Sequence, residues 1–170
     1  MRKINFIILH CSGTRCNRRY RFEQCRRDHI YHRHWPDIGY HYYVELDGTI
    51  HQGVPEEDPG THCKDHNLYS IGVCYEGGLS AGGYPADTRT PAQKEALLEL
   101  LSNLHRRYPH ALIVGHRDLS PDRNGDGRIT PEEFIKSCPC LDTMLEYEDL
   151  EPLPWEISAM QGPKRGRQWG

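Results

Sequence analysis

The sequence predicts one α/β domain, a central mixed β-sheet of about five strands flanked by helices. Three observations lead there: short β-branched and aromatic runs spaced along the chain, one tight hairpin signal, and a strongly capped amphipathic helix between two of the runs. Residues 4–10 (INFIILH) read as the first strand. Residues 40–45 and 49–54 flank Asp47-Gly48, a turn pair that joins antiparallel strands, so part of the sheet is antiparallel. The apolar runs 70–75 and 111–115, bounded by polar residues or Gly, complete the sheet. Between them, Thr90-Pro91-Ala92-Gln93 supplies an N-cap, a Pro at the first helical position and the Gln of a capping box. The helix that follows carries Leu97, Leu98, Leu101 and Leu104 at helical spacing, and Tyr108-Pro109 stops it. A second helix is expected over residues 22–34, with Phe22, Cys25, His29 and Ile30 on one side. Residues 77–88, rich in Gly and polar side chains, read as a surface loop. The domain is expected over 1–147, followed by an extended tail over 148–170 that packs locally through Trp155.

Composition narrows the class of function. A chain of 170 residues with 36% hydrophobic content can bury one real core. The net charge of -3 does not suit a nucleic-acid binder, and the arginine-rich stretch 15–35 lacks the interleaved stacking aromatics of one. That stretch reads as a solvated helix face, the alternative being a patch that faces a polyanion such as nucleic acid or wall polymer. The opening apolar run is too short for a secretory signal and no membrane segment follows, so cytoplasmic synthesis is expected. Seven cysteines form an odd set, which argues for thiols rather than a disulfide framework, with one available to a metal. A monomer is expected.

Zinc catalysis needs three protein ligands and one open position. His10 closes the first strand in ILHCS, His116 closes the last in IVGHRD, and Cys138 follows in KSCPC. Two neutral imidazoles and a thiolate suit zinc. Taken singly, each has a bland alternative: among eleven histidines any one is an ordinary surface or core residue, and Cys-Pro-Cys is a buried turn.

The order of the motifs is more specific. ILHCSGT, DIGYHYYVELDGTIHQG, GTHCKDHNLYSIGV, GHRDLSP and KSCPCLD together resemble the zinc N-acetylmuramoyl-L-alanine amidases, which include phage lysozyme-type amidases and peptidoglycan recognition proteins. The resemblance runs from about residue 4 to about residue 145. It implies that His10, His116 and Cys138 hold zinc, and that Tyr40 and Lys136 take part in catalysis. It further implies that the substrate is peptidoglycan or a muropeptide, cut between the lactyl group of N-acetylmuramic acid and L-alanine. Lys136 would offset an oxyanion, and Tyr40 would hydrogen-bond or relay a proton. His62 and Asn67 match a loop that borders the substrate groove, the alternative being a loop held by its own hydrogen bonds. Part of the family carries a glutamate on the strand where this chain has Cys74, which shifts proton transfer toward Tyr40 and leaves Glu76 as a nearby carboxylate. With no secretory signal expected, the chain resembles phage or prophage lysins that act on the wall once released, or a cytoplasmic recycling amidase.

A second metal pattern lies between His116 and Cys138. Asp122, Asn124 and Asp126 stand at positions one, three and five of a calcium loop, with Gly127 at its turn, the Arg128 carbonyl at seven and Glu133 at twelve. Bound calcium is expected there as a structural clamp; the alternative is a turn that caps a helix beginning near Thr130.

Two rivals remain. A non-catalytic peptidoglycan-binding module is one, but members of the family that bind without cleaving typically lack the cysteine ligand. A dockerin-like calcium module would need a second loop, and none is present.

Overall fold

The computed structural model describes residues 1–150. In chain order the elements are β1 (Phe6–Cys11), β2 (Thr14–Arg15), α1 (Phe22–Tyr31), β3 (Tyr42–Val44), β4 (Ile50–Gln52), β5 (Ser70–Tyr75), β6 (Gly78–Leu79), α2 (Pro91–Arg107), β7 (Leu112–Gly115) and the single-turn α3 (Thr143–Glu146). Five strands form one mixed sheet in the order β4-β3-β5-β1-β7. β3, β5, β1 and β7 run parallel, and β4 returns antiparallel as the edge strand through the hairpin. Gly48 sits in that turn at φ 86, a conformation that costs glycine nothing.

Side-chain alternation along the strands divides the sheet into two faces. Ile7, Leu9, Ile71, Val73, Tyr75 and Ile113 belong to the larger core cluster with Leu97, Leu100, Leu101 and Leu104 of α2. Burying each of those leucines stabilises the fold by roughly 1.5–3 kcal/mol. Phe6, Ile8, Leu112 and Val114 belong to a second cluster, and Tyr43 and Cys74 pack with Phe22 and Cys25 of α1 in a third. α2 begins as expected: Thr90 Oγ1 accepts from Gln93 N at 3.1 Å while Gln93 Oε1 accepts from Thr90 N at 3.0 Å.

The structure departs from expectation at particular places. Leu98 is exposed, and the helix turns Leu100 inward instead, so the buried stripe is Leu97, Leu100, Leu101 and Leu104. α1 stops at Tyr31 rather than residue 34, because the N–H groups of His32 and Arg33 both close onto Asp28 O and His34 takes a left-handed φ of 57. Residues 77–88 are more than a loop: β6 pairs with β2 in a small parallel sheet. The packed unit continues past residue 147, since Leu150 N bonds Tyr147 O at 2.9 Å and Leu150 packs on the main core. Trp155 and the rest of the expected tail lie outside the described residues. All seven cysteines are free thiols. No described helix is long and apolar enough to cross a membrane.

Candidate metal centre

β1 and β7 lie side by side with Leu9 opposite Gly115, so each strand delivers its next residue, His10 and His116, to the same end of the sheet. Carboxyl ends of parallel strands are where open α/β sheets place their ligands. Their rings sit 4.7 Å apart, centroid to centroid. Cys138 arrives from the C-terminal loop, fixed by Arg117 N donating to Cys138 O at 2.8 Å and by Tyr75 Oη donating to Pro139 O at 2.6 Å. The Cys138 sulfur stands 3.8 Å from His10 Nδ1 and accepts from Cys11 N at 3.3 Å. Among the described residues, His10, His116 and Cys138 are the one group of three such side chains whose ligand atoms all lie within 4.8 Å of one another.

The electrostatics suit metal binding. Burial, reinforced by His62, His116 and Lys136, holds His10 well below the usual histidine range. Burial and the Lys136 charge push His116 down to about 4. Both rings are therefore neutral near pH 7 and present lone pairs. Two imidazole nitrogens and one sulfur form a borderline-soft set that fits zinc.

His10, Tyr40, His62, His116, Lys136 and Cys138 line a single cleft of about 280 Å³. The Tyr40 ring lies 5.2 Å from that of His10. Burial raises the Tyr40 hydroxyl well above the ordinary phenol range, with the Cys74 and Cys138 sulfurs adding to it, so Tyr40 is a hydrogen-bond donor. Lys136 is exposed at the rim.

The other expected site residues divide. His62 lines the cleft, but both ring nitrogens are engaged: Nδ1 lies 2.8 Å from His10 Nε2, and Nε2 lies 3.2 Å from Ser70 Oγ. The Asn67 side-chain Oδ1 accepts from His62 N and Cys63 N, both at 2.9 Å, which makes it a clamp within its own loop. Glu76 is fully buried and turned away from the cleft, accepting from Tyr20 N at 2.5 Å, Leu46 N at 2.9 Å and Arg19 Nε at 3.3 Å.

The calcium expectation finds no support among the described residues. The carboxylates of Asp122, Asp126 and Glu133 do not converge as a cation shell. Glu133 Oε1 accepts from Arg123 N at 2.8 Å and Asn124 N at 3.3 Å, and its Oε2 accepts from Thr130 N at 3.0 Å. Asp122 accepts from Gly125 N and Gly127 N, Asn124 from Asp126 N, and Asp126 from Arg128 N. Backbone N–H groups engage these oxygens, and Glu133 serves as the capping-box residue of the short 3-10 turn Pro131–Glu133.

His29, Arg33 and Trp35 also line the cleft, although no motif in the sequence marks them. His29 is buried, accepts from Gly39 N at 3.0 Å and packs 4.7 Å from Trp35. Arg33 lies 5.2 Å over the Trp35 ring. The signal available was a histidine on the apolar side of α1, where hydrophobic residues alone would serve packing better.

Comparison with known proteins identifies the family. The family model described as N-acetylmuramoyl-L-alanine amidase matches residues 1–131, ending before Lys136 and Cys138. An endolysin of Klebsiella phage KP32 is 34% identical over 145 residues, 85% of this chain and 86% of the phage protein. The solved Ph2119 endolysin from the Thermus scotoductus bacteriophage Ph2119 superposes with a TM-score of 0.64 at 26% identity, covering 88% of this chain and 86% of that one. Peptidoglycan-recognition protein SC1a of Drosophila melanogaster is 30% identical over 121 residues, 67% of this chain and 63% of its own. With the cluster of two histidines and a cysteine at the strand ends and a family match over most of its length, the chain belongs to the N-acetylmuramoyl-L-alanine amidase family and is an enzyme of that activity.

Proposed function

We propose that the amidase is zinc-dependent and cuts peptidoglycan between the lactyl group of N-acetylmuramic acid and L-alanine, with His10, His116 and Cys138 as the metal ligands. The observation that carries this is the convergence of those three donors within 4.8 Å in a cleft that also receives Tyr40 and Lys136. Zinc, when bound, supplies Lewis acidity toward the scissile carbonyl and lowers the pKa of water. The chain's own residues do the rest. Lys136 places a mobile positive charge at the rim, suited to the negative charge that develops on the carbonyl oxygen. Tyr40, kept protonated by burial, donates a hydrogen bond into the same space. The N–H of Cys11 donates to the Cys138 sulfur and holds it at the mouth of the cleft. Arg33 over Trp35 gives the cleft a charged and aromatic wall on which a stem peptide can lie. Action on the wall after release, as the name endolysin says of the phage relatives, fits this reading.

Digestion of purified peptidoglycan by the wild type and by Cys138→Ala, with mass analysis of products and metal content of both, tests it. Free stem peptides beginning at L-alanine, with zinc and activity lost together in the variant, are expected. Retained zinc with unchanged cleavage in the variant would remove Cys138 from the site. Wild-type protein that holds peptidoglycan with every glycan–peptide linkage intact would leave a binding module instead.

A further inference from the structure

We propose that His62 is a positioning residue for His10: it accepts the Nε2 proton of His10 and so fixes the tautomer and ring plane that turn His10 Nδ1 toward His116 and Cys138. The inference rests on the zinc reading above and deepens it. The two rings meet edge to face, with centroids 4.9 Å apart and planes at 88°, and the Nε2–Nδ1 distance is 2.8 Å. A separation that short holds one proton between the two nitrogens. On the far side of the ring, His10 Nδ1 is the atom that faces the Cys138 sulfur, at 3.8 Å.

Proton bookkeeping then selects one arrangement. A neutral imidazole carries a single N–H. If His10 Nδ1 is to offer a lone pair, its proton sits on Nε2 and His62 Nδ1 must accept. His62 then carries its own proton on Nε2, where Ser70 Oγ lies 3.2 Å away to receive it. In the reverse arrangement His62 Nδ1 would donate, the His10 proton would move to Nδ1, and the ligand lone pair would be blocked. Ligating histidines commonly depend on such a partner at the second nitrogen.

The surroundings hold His62 in this pose. Asn67 grips the backbone N–H of His62 and of Cys63. Across the sheet face, a Cβ on Gly72 would come within 2.6 Å of His62 Cγ and 2.8 Å of its Nδ1, so the glycine at that point of β5 makes the space the ring occupies. Ser70 stands two residues earlier on the same strand face, fully buried. His62 therefore shows the cleft carbon rather than a free nitrogen, which distinguishes positioning from substrate recognition.

The test uses the full chain as wild type, His62→Ala, His62→Asn and Ser70→Ala. Zinc affinity is measured by competition with a chromophoric chelator, and the His10 tautomer by nitrogen-15 chemical shifts in zinc-free protein. The wild type should show the His10 proton on Nε2. His62→Ala should mix the tautomers and weaken zinc binding by about 10- to 100-fold. His62→Asn, whose amide oxygen falls near the Nδ1 position, should recover most of that loss. If His62→Ala does not fold, Ser70→Ala carries the test through a several-fold loss of affinity and a shifted tautomer. Zinc affinity and tautomer unchanged, with a raised KM for a soluble muropeptide, would overturn the proposal and return His62 to substrate contact. Wild-type protein that binds no zinc would defeat the metal reading separately, and the tautomer measurement would still decide the pairing.

Discussion

Replacing Glu76 by Gln separates a structural carboxylate from a catalytic one. Glu76 follows β5, has no exposed surface, and accepts two backbone N–H groups, from Tyr20 and Leu46, besides the Arg19 guanidinium. Those partners bring the segment before α1 and the residue beyond β3 against the central strand. A glutamine amide can keep its oxygen on one N–H but must then aim its own NH2 at the other. One charge-assisted hydrogen bond, worth about 1.5–3 kcal/mol, is lost, and the remaining one falls to neutral strength. The Arg19 pair is half-exposed and adds little. The expected destabilisation is about 3–4 kcal/mol, a large share of the roughly 5–15 kcal/mol that holds a domain together. In urea this moves the unfolding midpoint down by about 1–4 M at an unchanged slope of about 1–3 kcal/mol per M. Measured at low temperature on folded, metal-loaded protein, kcat should stay within a few-fold. The reasoning is refuted if the midpoint does not move while kcat falls by about 100-fold or more, the loss expected of a missing general base.

Two further outcomes follow from the same geometry. Burial and Arg33 push His29 down from 6.5 to about 4. A depressed histidine costs stability as pH falls, because the unfolded ring takes up its proton near pH 6.5 while the folded ring resists until about pH 4. About 3 kcal/mol should disappear across that window in pH-dependent urea unfolding. His29→Asn, which keeps an acceptor for Gly39 N, should flatten that slope; an equally steep profile in the variant would be the contrary result. Calcium at millimolar concentration should leave the melting temperature within about 1 °C, because the loop oxygens are already engaged by backbone N–H groups. A rise of several degrees, abolished by Glu133→Gln, would restore the calcium clamp.

What the sequence made legible was what depends on local period and on chain order. The hydrophobic runs placed the strands of the main sheet, the Thr90 to Gln93 box placed the start of α2, and the histidines at two strand ends marked one edge of the sheet. The errors share a physical cause. Leu98 and Leu100 stand on nearly opposite sides of α2, so only one of them can join the stripe of Leu97, Leu101 and Leu104, and the packing against the sheet decides which. The segment 122–133 satisfies two rules at once. A carboxylate spaced for a calcium loop is also spaced for a capping box, and Glu133 settles on the nearer partners, its own backbone donors.

Asn67 illustrates the same limit within the site. Its place in GTHCKDHN marks a polar loop beside the cleft, but whether its oxygen meets substrate or backbone depends on how five residues of chain close on themselves. His62 depends on something more distant still. Its pairing with His10 crosses 52 residues of sequence and requires an absent side chain at Gly72, which in a strand of β-branched neighbours reads only as a weak point. The glycine becomes intelligible once β5 lies beside β1, with Gly72 opposite Ile8 and Cys74 opposite His10. A position that costs the strand some stability is then the space in which the ligand histidine acquires its partner. A methyl group added at Gly72 should therefore weaken metal binding more than it weakens the sheet.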